Sequence, residues 1–172
     1  VYVFLADGFE TVEALAPVDV MRRAGLDVVT VSIMGGKEVV SAQNVTVAAD
    51  ELYENLSFTD ADALVLPGGG VGTDNLSAHE PLRSLIVDAH AKGTLVAAIC
   101  AAPAILGRRG MLDGKNAVCF TGFEGELKGA NVMREKAVRD GNIITACGAG
   151  AAFEFAFLIL NALTGDDQSA DN

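Results

Sequence analysis

The amino-acid sequence predicts an α/β protein with a mostly parallel sheet covered by helices on both faces. Short β-rich runs alternate along the chain with segments of helical periodicity, and the connections are brief. The β-rich runs are apolar throughout rather than at every second residue, which is the pattern of strands buried on both faces. Three segments also put special chemistry just after strand runs: Gly8 to Glu13, Pro67 to Gly72 and Ile99 to Pro103. In parallel sheets ligands bind beyond the carboxyl ends of the strands, so function is expected there.

Val1 to Leu5 is the first strand, broken by Asp7 and Gly8. Thr11 to Ala24 is a helix, with Val12, Leu15, Val18, Val20 and Met21 at mostly helical spacing and Gly25 closing it. Val28 to Ile33 is a β-branched strand before Gly35-Gly36, and Val39-Val40 with Val45 to Val47 suggests a short hairpin. Leu64 to Leu66 is a strand ending in Pro67-Gly68-Gly69-Gly70. Pro81 to Lys92 is a helix stopped by Gly93, Thr94 to Ile99 a buried strand, and Ala101 to Gly107 a small-residue helix. Strands follow at Ala117 to Phe120 and Asn142 to Ala146, and Gly150 to Leu163 is an apolar helix ending at Gly165. No linker or internal repeat divides the chain, so residues 1–165 read as one domain, with a polar acidic tail at 166–172.

The 172 residues suit one domain, and a hydrophobic share of 51% can fill its core. No apolar run reaches the ~18 residues of a membrane helix, and no signal-peptide pattern precedes the first strand. The chain begins at Val1 without a methionine, so a residue or two are expected before it. A formal net charge of −11 repels phosphate backbones and anionic lipid, which argues against nucleic acid and membranes as partners. The three cysteines are widely spaced with no CxxC, which fits neither a disulfide framework nor a zinc site. A cytoplasmic location and no bound metal are the expectations.

Cys100 stands between the strand run Leu95 to Ile99 and Ala101-Ala102-Pro103. A side chain at a sharp strand-to-helix turn projects over the sheet edge, and its neighbouring N–H groups can face an anion. The spacing also allows Cys100 to be a small buried hydrophobe, as most free cysteines are. Pro67-Gly68-Gly69-Gly70 lets backbone N–H groups approach an anion, or is a flexible turn; it is no Walker loop, since no Gly-Lys-Ser/Thr follows. Glu10 and Glu13 are first-turn acids of the kind that helix dipoles favour, yet Glu13 sits in the apolar stretch Thr11 to Pro17. Turned inward, it would be held protonated by burial and could donate to a thiolate, lowering the cysteine pKa. Cys119 and Cys147 read as packing residues, His79 and His90 as solvated surface residues, and Gly148-Ala149-Gly150 as a helix entry.

The runs Leu5-Ala6-Asp7-Gly8-Phe9-Glu10-Thr11-Val12-Glu13, Pro17 to Gly25, Val65 to Gly70, Asn75-Leu76-Ser77, Ala98 to Pro103 and Phe153-Glu154-Phe155-Ala156 cover nearly the whole chain. In this order they resemble the ThiJ/PfpI family, particularly the branch of the Parkinson's-associated protein deglycase and its bacterial relatives. The resemblance implies a flavodoxin-like three-layer sandwich, usually a homodimer, with a cysteine nucleophile elbow at Cys100. It assigns Glu13 the carboxyl that contacts the sulfur, and Gly69 and Ala101 the backbone donors, with Gly70 in the same loop and Glu10 as a second acid near the pocket. It implies cofactor-free chemistry on small reactive carbonyls or glycated adducts, of glyoxalase or deglycase type. Its alternatives are a redox sensor or chaperone working through oxidation of Cys100, and an intracellular cysteine peptidase. Three positions depart from the family's patterns. Ala101 stands where the peptidase-labelled members carry histidine, the segment around Gly122-Phe123 where some carry a pocket histidine, and Gln43 where some carry an interface arginine.

Overall fold

The computed structural model describes residues 1–165; the acidic tail expected from Asp166 onward lies outside them. The chain starts in the middle of its sheet with β1 (Tyr2–Leu5), crosses through α1 (Thr11–Arg23), and returns beside β1 as β2 (Val29–Ser32). A separate antiparallel hairpin, β3 (Glu38–Val40) and β4 (Thr46–Ala48), precedes the short edge strand β5 (Glu51–Leu52). The chain then passes to the other side of β1 with β6 (Ala63–Leu66), α2 (Gly70–Ala78), α3 (Glu80–Ala91), β7 (Leu95–Ile99) and α4 (Pro103–Gly107). A two-stranded annex of β8 (Asn116–Ala117) and β9 (Asn131–Val132) leads to β10 (Ala137–Asp140), β11 (Ile143–Ala146) and α5 (Ala152–Thr164).

The strand order of the main sheet is β10-β11-β7-β6-β1-β2-β5, parallel except for the β10–β11 pair. Its middle, β2-β1-β6-β7-β11, is the flavodoxin-like winding, in which the chain reverses direction between its first strand and the third. The reversal here falls between β1 and β6, the position beyond whose carboxyl ends such folds bind their ligands. Period-2 alternation splits the buried strand residues between two cores. Val3, Leu5, Val65, Ala97 and Ile99 face α1 and α5, whereas Phe4, Leu64, Leu66, Val96 and Ala98 face α2, α3 and α4. These are the outer layers of the expected sandwich. Among the described residues no helix is long and apolar enough to cross a membrane.

The structure departs from the expected elements in a few places. Gly70–Ala78 is a helix although Gly70, Gly72, Thr73, Asn75 and Ser77 are weak helix formers; buried Leu76 and Gly72 pin it against the core and the neighbouring loop. The strand expected over Ala117 to Phe120 pairs only at Asn116–Ala117. Beyond that point Val118 N–H donates to Thr145 Oγ1 (3.0 Å) and Phe120 N–H to the Cys100 carbonyl (2.8 Å), single bonds in place of a ladder. The edge strands β5, β9 and β10 are short or partly polar, and carry no apolar run to mark them.

Helix α5 ends where Gly165 takes a left-handed φ of +70°, and it presents Phe155 and Ile159, both fully buried, to the sheet. Two residues before Phe155, Phe153 is 57% exposed. Phe155→Ala is expected to cost about 3–5 kcal/mol in urea unfolding, and Phe153→Ala under about 1 kcal/mol. Equal losses would contradict this docking of α5.

Candidate active site

Three loops meet at the carboxyl ends of β1, β6 and β7. Cys100 follows β7 with a φ of +66°, a left-handed conformation that costs a non-glycine residue free energy. Two hydrogen bonds hold it there: its N–H donates to the Ala146 carbonyl (2.9 Å), and its carbonyl accepts from Phe120 N–H (2.8 Å). Ala101 and Ala102 behind it are buried, and Pro103 starts α4. The thiol is half-buried, and the N–H groups of Gly69 and Ala101 are directed at it.

Glu13, in the first turn of α1, is fully buried. Gly68 N–H donates to its Oε1 at 3.0 Å; Oε2 is buried without a conventional partner, and the Cys100 thiol is the polar neighbour of the carboxyl. Burial, reinforced by the nearby charge of Glu10, pushes Glu13 up to about 7, against the pull of the Cys100 and Gly68 hydrogen bonds. Burial and the charge of an ionised Glu13 push the Cys100 thiol up to about 12, although Gly69 and Ala101 N–H groups pull it down. Beside an ionised Glu13 the cysteine pKa is raised, first by burial and then by the neighbouring negative charge, and the lowering expected from the sequence concerns a protonated Glu13. The pair releases one proton near neutral pH and the second only far above it. A thiolate forms here by passing its proton to Glu13, so that the pair carries a single negative charge.

The loops interlock through glycines. A Cβ on Gly68 would stand 2.5 Å from both Cys100 Cβ and Glu13 Oε1, so only hydrogen fits between them. Reading the sequence named Gly69 and Gly70 but missed Gly68, because nothing in a run of three glycines shows which one faces the thiol. Gly69, at φ +92°, lies against the Gly8 carbonyl. Gly70 opens α2, is exposed, and would meet nothing with a Cβ, so it contributes no close approach. Glu10 sits at the N-cap of α1, and its N–H donates to the Gly68 carbonyl (3.0 Å), tying the first loop to the second.

A strap from the β3–β4 hairpin holds this first loop. Gly8 N–H donates to the Val40 carbonyl (2.8 Å), Ala42 N–H to the Phe9 carbonyl (2.8 Å), and Val40 N–H to Asp7 Oδ1 (3.0 Å). Gln43 completes it: its Oε1 accepts from Thr11 N–H (3.1 Å) and from Thr11 Oγ1 (2.7 Å), capping a helix whose own N-cap side chain does not.

The two histidines belong to α3. His79 is a half-buried N-cap whose Nδ1 accepts from Leu82 N–H (3.2 Å), packed edge-on against Tyr53; His90 is also half-buried. Burial lowers the pKa of both. Neither is the solvated surface residue expected, and neither touches the Cys100 loop. Around Gly122-Phe123, Gly122 is exposed and Phe123 packs on the α3-side core. Cys119 is buried in that same core, and burial pushes it up to about 11.

The DJ-1/PfpI family matches residues 1–162. The chain belongs to the DJ-1/PfpI family. The Drosophila melanogaster protein dj-1beta is 33% identical over 168 residues, spanning 96% of this chain and 90% of its own length. The Danio rerio Parkinson disease protein 7 homolog is 34% identical, over 98% and 91%. Oxidized Toxoplasma gondii DJ-1 superposes with a TM-score of 0.93 at 30% identity, over 99% of this chain and 93% of its own. A DJ-1 superfamily protein from Salmonella typhimurium gives 0.92 at 33%, over 99% and 92%. The ThiJ/PfpI resemblance read from the sequence is thereby shown, and with it the DJ-1 fold.

The raised Glu13 pKa has a consequence for stability. The folded value lies above the unfolded one, so the native state binds more protons between the two. Stability therefore falls as pH rises from about 4.5 to about 7, by roughly 3 kcal/mol. Urea unfolding of wild type and Glu13→Gln across this range should show the decline reduced by that amount in the variant. Parallel pH profiles would contradict a protonated Glu13.

Proposed function

We propose that this member of the family is a cofactor-free enzyme of reactive-carbonyl detoxification, acting on small α-ketoaldehydes through Cys100. The observation that supports this best is a fully buried carboxyl, held by one backbone N–H, beside a thiol at a strained elbow. Proton transfer from Cys100 to Glu13 generates the thiolate, which adds to the aldehyde carbon. The new oxyanion lies within reach of the Gly69 and Ala101 N–H groups, and Glu13 returns the proton to it, giving a hemithioacetal. The Glu13 carboxylate then removes the hydrogen of the former aldehyde carbon and delivers it to the adjacent ketone carbon, while the proton of the hemithioacetal hydroxyl passes to the ketone oxygen. This leaves a thioester, which water cleaves to a 2-hydroxy acid and free Cys100. The reaction balances as ketoaldehyde plus water to hydroxy acid, so no external oxidant or hydride carrier enters it. Removal of early glycation adducts would use the same first addition.

A second reading is supported by the same donors and by the oxidised state of the Toxoplasma relative: Cys100 as a peroxide-responsive thiol in stress. A peptidase would lack its base, since both histidines of the chain lie on α3.

Steady-state turnover of methylglyoxal by the pure protein distinguishes these. Wild type is expected to turn over many times, with kcat/KM rising through an apparent pKa near 7. Cys100→Ala should abolish turnover, and Glu13→Gln should lower kcat by about 10²–10⁴ while leaving the fold intact. A single stoichiometric loss of methylglyoxal with no hydroxy acid formed would contradict the enzymatic reading.

A further inference from the structure

We propose that Cys147 is a resolving thiol for Cys100, so that peroxide converts the two to a disulfide before Cys100 reaches the sulfinate. The inference rests on Cys100 being the reactive thiol of the preceding section. The juxtaposition comes from strand register. β11 lies parallel to β7 with Ile143 opposite Val96 and Ala146 opposite Ile99, so one further step sets Cys147 opposite Cys100. The bond from Cys100 N–H to the Ala146 carbonyl shows that the ladder reaches that step. On its other side Cys147 N–H donates to the Lys136 carbonyl (2.9 Å), so its backbone is held within the sheet.

Neighbouring strands lie about 4.8 Å apart, inside the window of about 4.4–6.8 Å that disulfides span between Cα atoms, and because the Cys100 thiol rests on the Gly68 side a turn of its side chain toward β11 precedes the bond. Both cysteines are free and half-buried, and both pack against the core on the α1 and α5 side of the sheet. Cys119 is the contrast. It follows the same elbow through Phe120, yet it is buried in the core on the opposite face. Two cysteines are close to the elbow in the chain's folding, and only Cys147 shares its side.

The chemistry needs a hydroperoxide as oxidant. The Cys100 thiolate attacks the peroxide, forming an S–O bond and breaking O–O, while protonated Glu13 supplies the proton that lets the departing oxygen leave as water or alcohol. The Cys147 thiol gives its proton to solvent and attacks the Cys100 sulfur, forming S–S as hydroxide departs and takes up a proton. Two thiols lose two electrons and the peroxide gains them. An external dithiol restores both.

The test is non-reducing peptide mapping of the full chain after graded hydrogen peroxide. Wild type should show Cys100 and Cys147 peptides joined, and dithiothreitol should return nearly all of the Cys100 thiol. Cys147→Ser should carry Cys100 sulfinate instead, with recovery by dithiothreitol largely lost, while Cys119→Ala keeps the link. Sulfinate on wild-type Cys100 with Cys147 still free, or a bridge through Cys119, would overturn the proposal and leave the carbonyl chemistry standing. A Cys100 that resists peroxide altogether would overturn both.

Discussion

The structure turns on one contact, a carboxyl with no access to water placed beside a thiol. Burying Glu13 is costly unless the charge is removed, and the lone N–H of Gly68 is too little to stabilise a full carboxylate. The carboxyl therefore keeps its proton into the neutral range and trades it with Cys100. Several features that look separate serve this arrangement: a strained φ at Cys100, a glycine where a methyl group would collide with both partners, and a loop pinned by a neighbouring hairpin.

Each partner comes from a rigid element, which is what makes the contact reproducible. Glu13 rides on α1, Cys100 on the end of β7, and Gly68 on the end of β6, the central strand between β1 and β7. Parallel pairing fixes these ends at one level, at the β1–β6 reversal of the winding. The Gln43 cap on Thr11 reaches the site indirectly, by seating the first turn of the helix that carries Glu13. Arginine is expected at that position in some relatives. This chain places a neutral amide there, and the structure gives the amide a defined task.

Much of this was legible in the residues. Continuous apolar strands gave the parallel sheet, Cys100 stood at a strand-to-helix junction, and Glu13 stood out as an acid in an apolar stretch. What escaped depends on distance in the sequence. Helix α2 is built from poor helix formers and exists because its buried side is pinned against the core. The segment from Ala117 to Phe120 is β-rich, but the sheet end it meets offers single bonds rather than a strand to pair with. The choice of Gly68 among three glycines, and the placing of Cys147 beside Cys100, follow from register and loop direction. Neither leaves a local mark.

The central claim is that Glu13 holds its proton near neutrality because of where it sits. Carbon-13 NMR of the Glu13 side-chain carboxyl, assigned by loss of its signal in Glu13→Gln and followed against pH, tests this without reference to any substrate. The account predicts an apparent pKa of about 7 in the wild type, moving downward in Cys100→Asn, where an amide donates to the carboxylate and cannot share a negative charge. A Glu13 signal that titrates in the ordinary carboxylate range, unmoved by the change at Cys100, would contradict it.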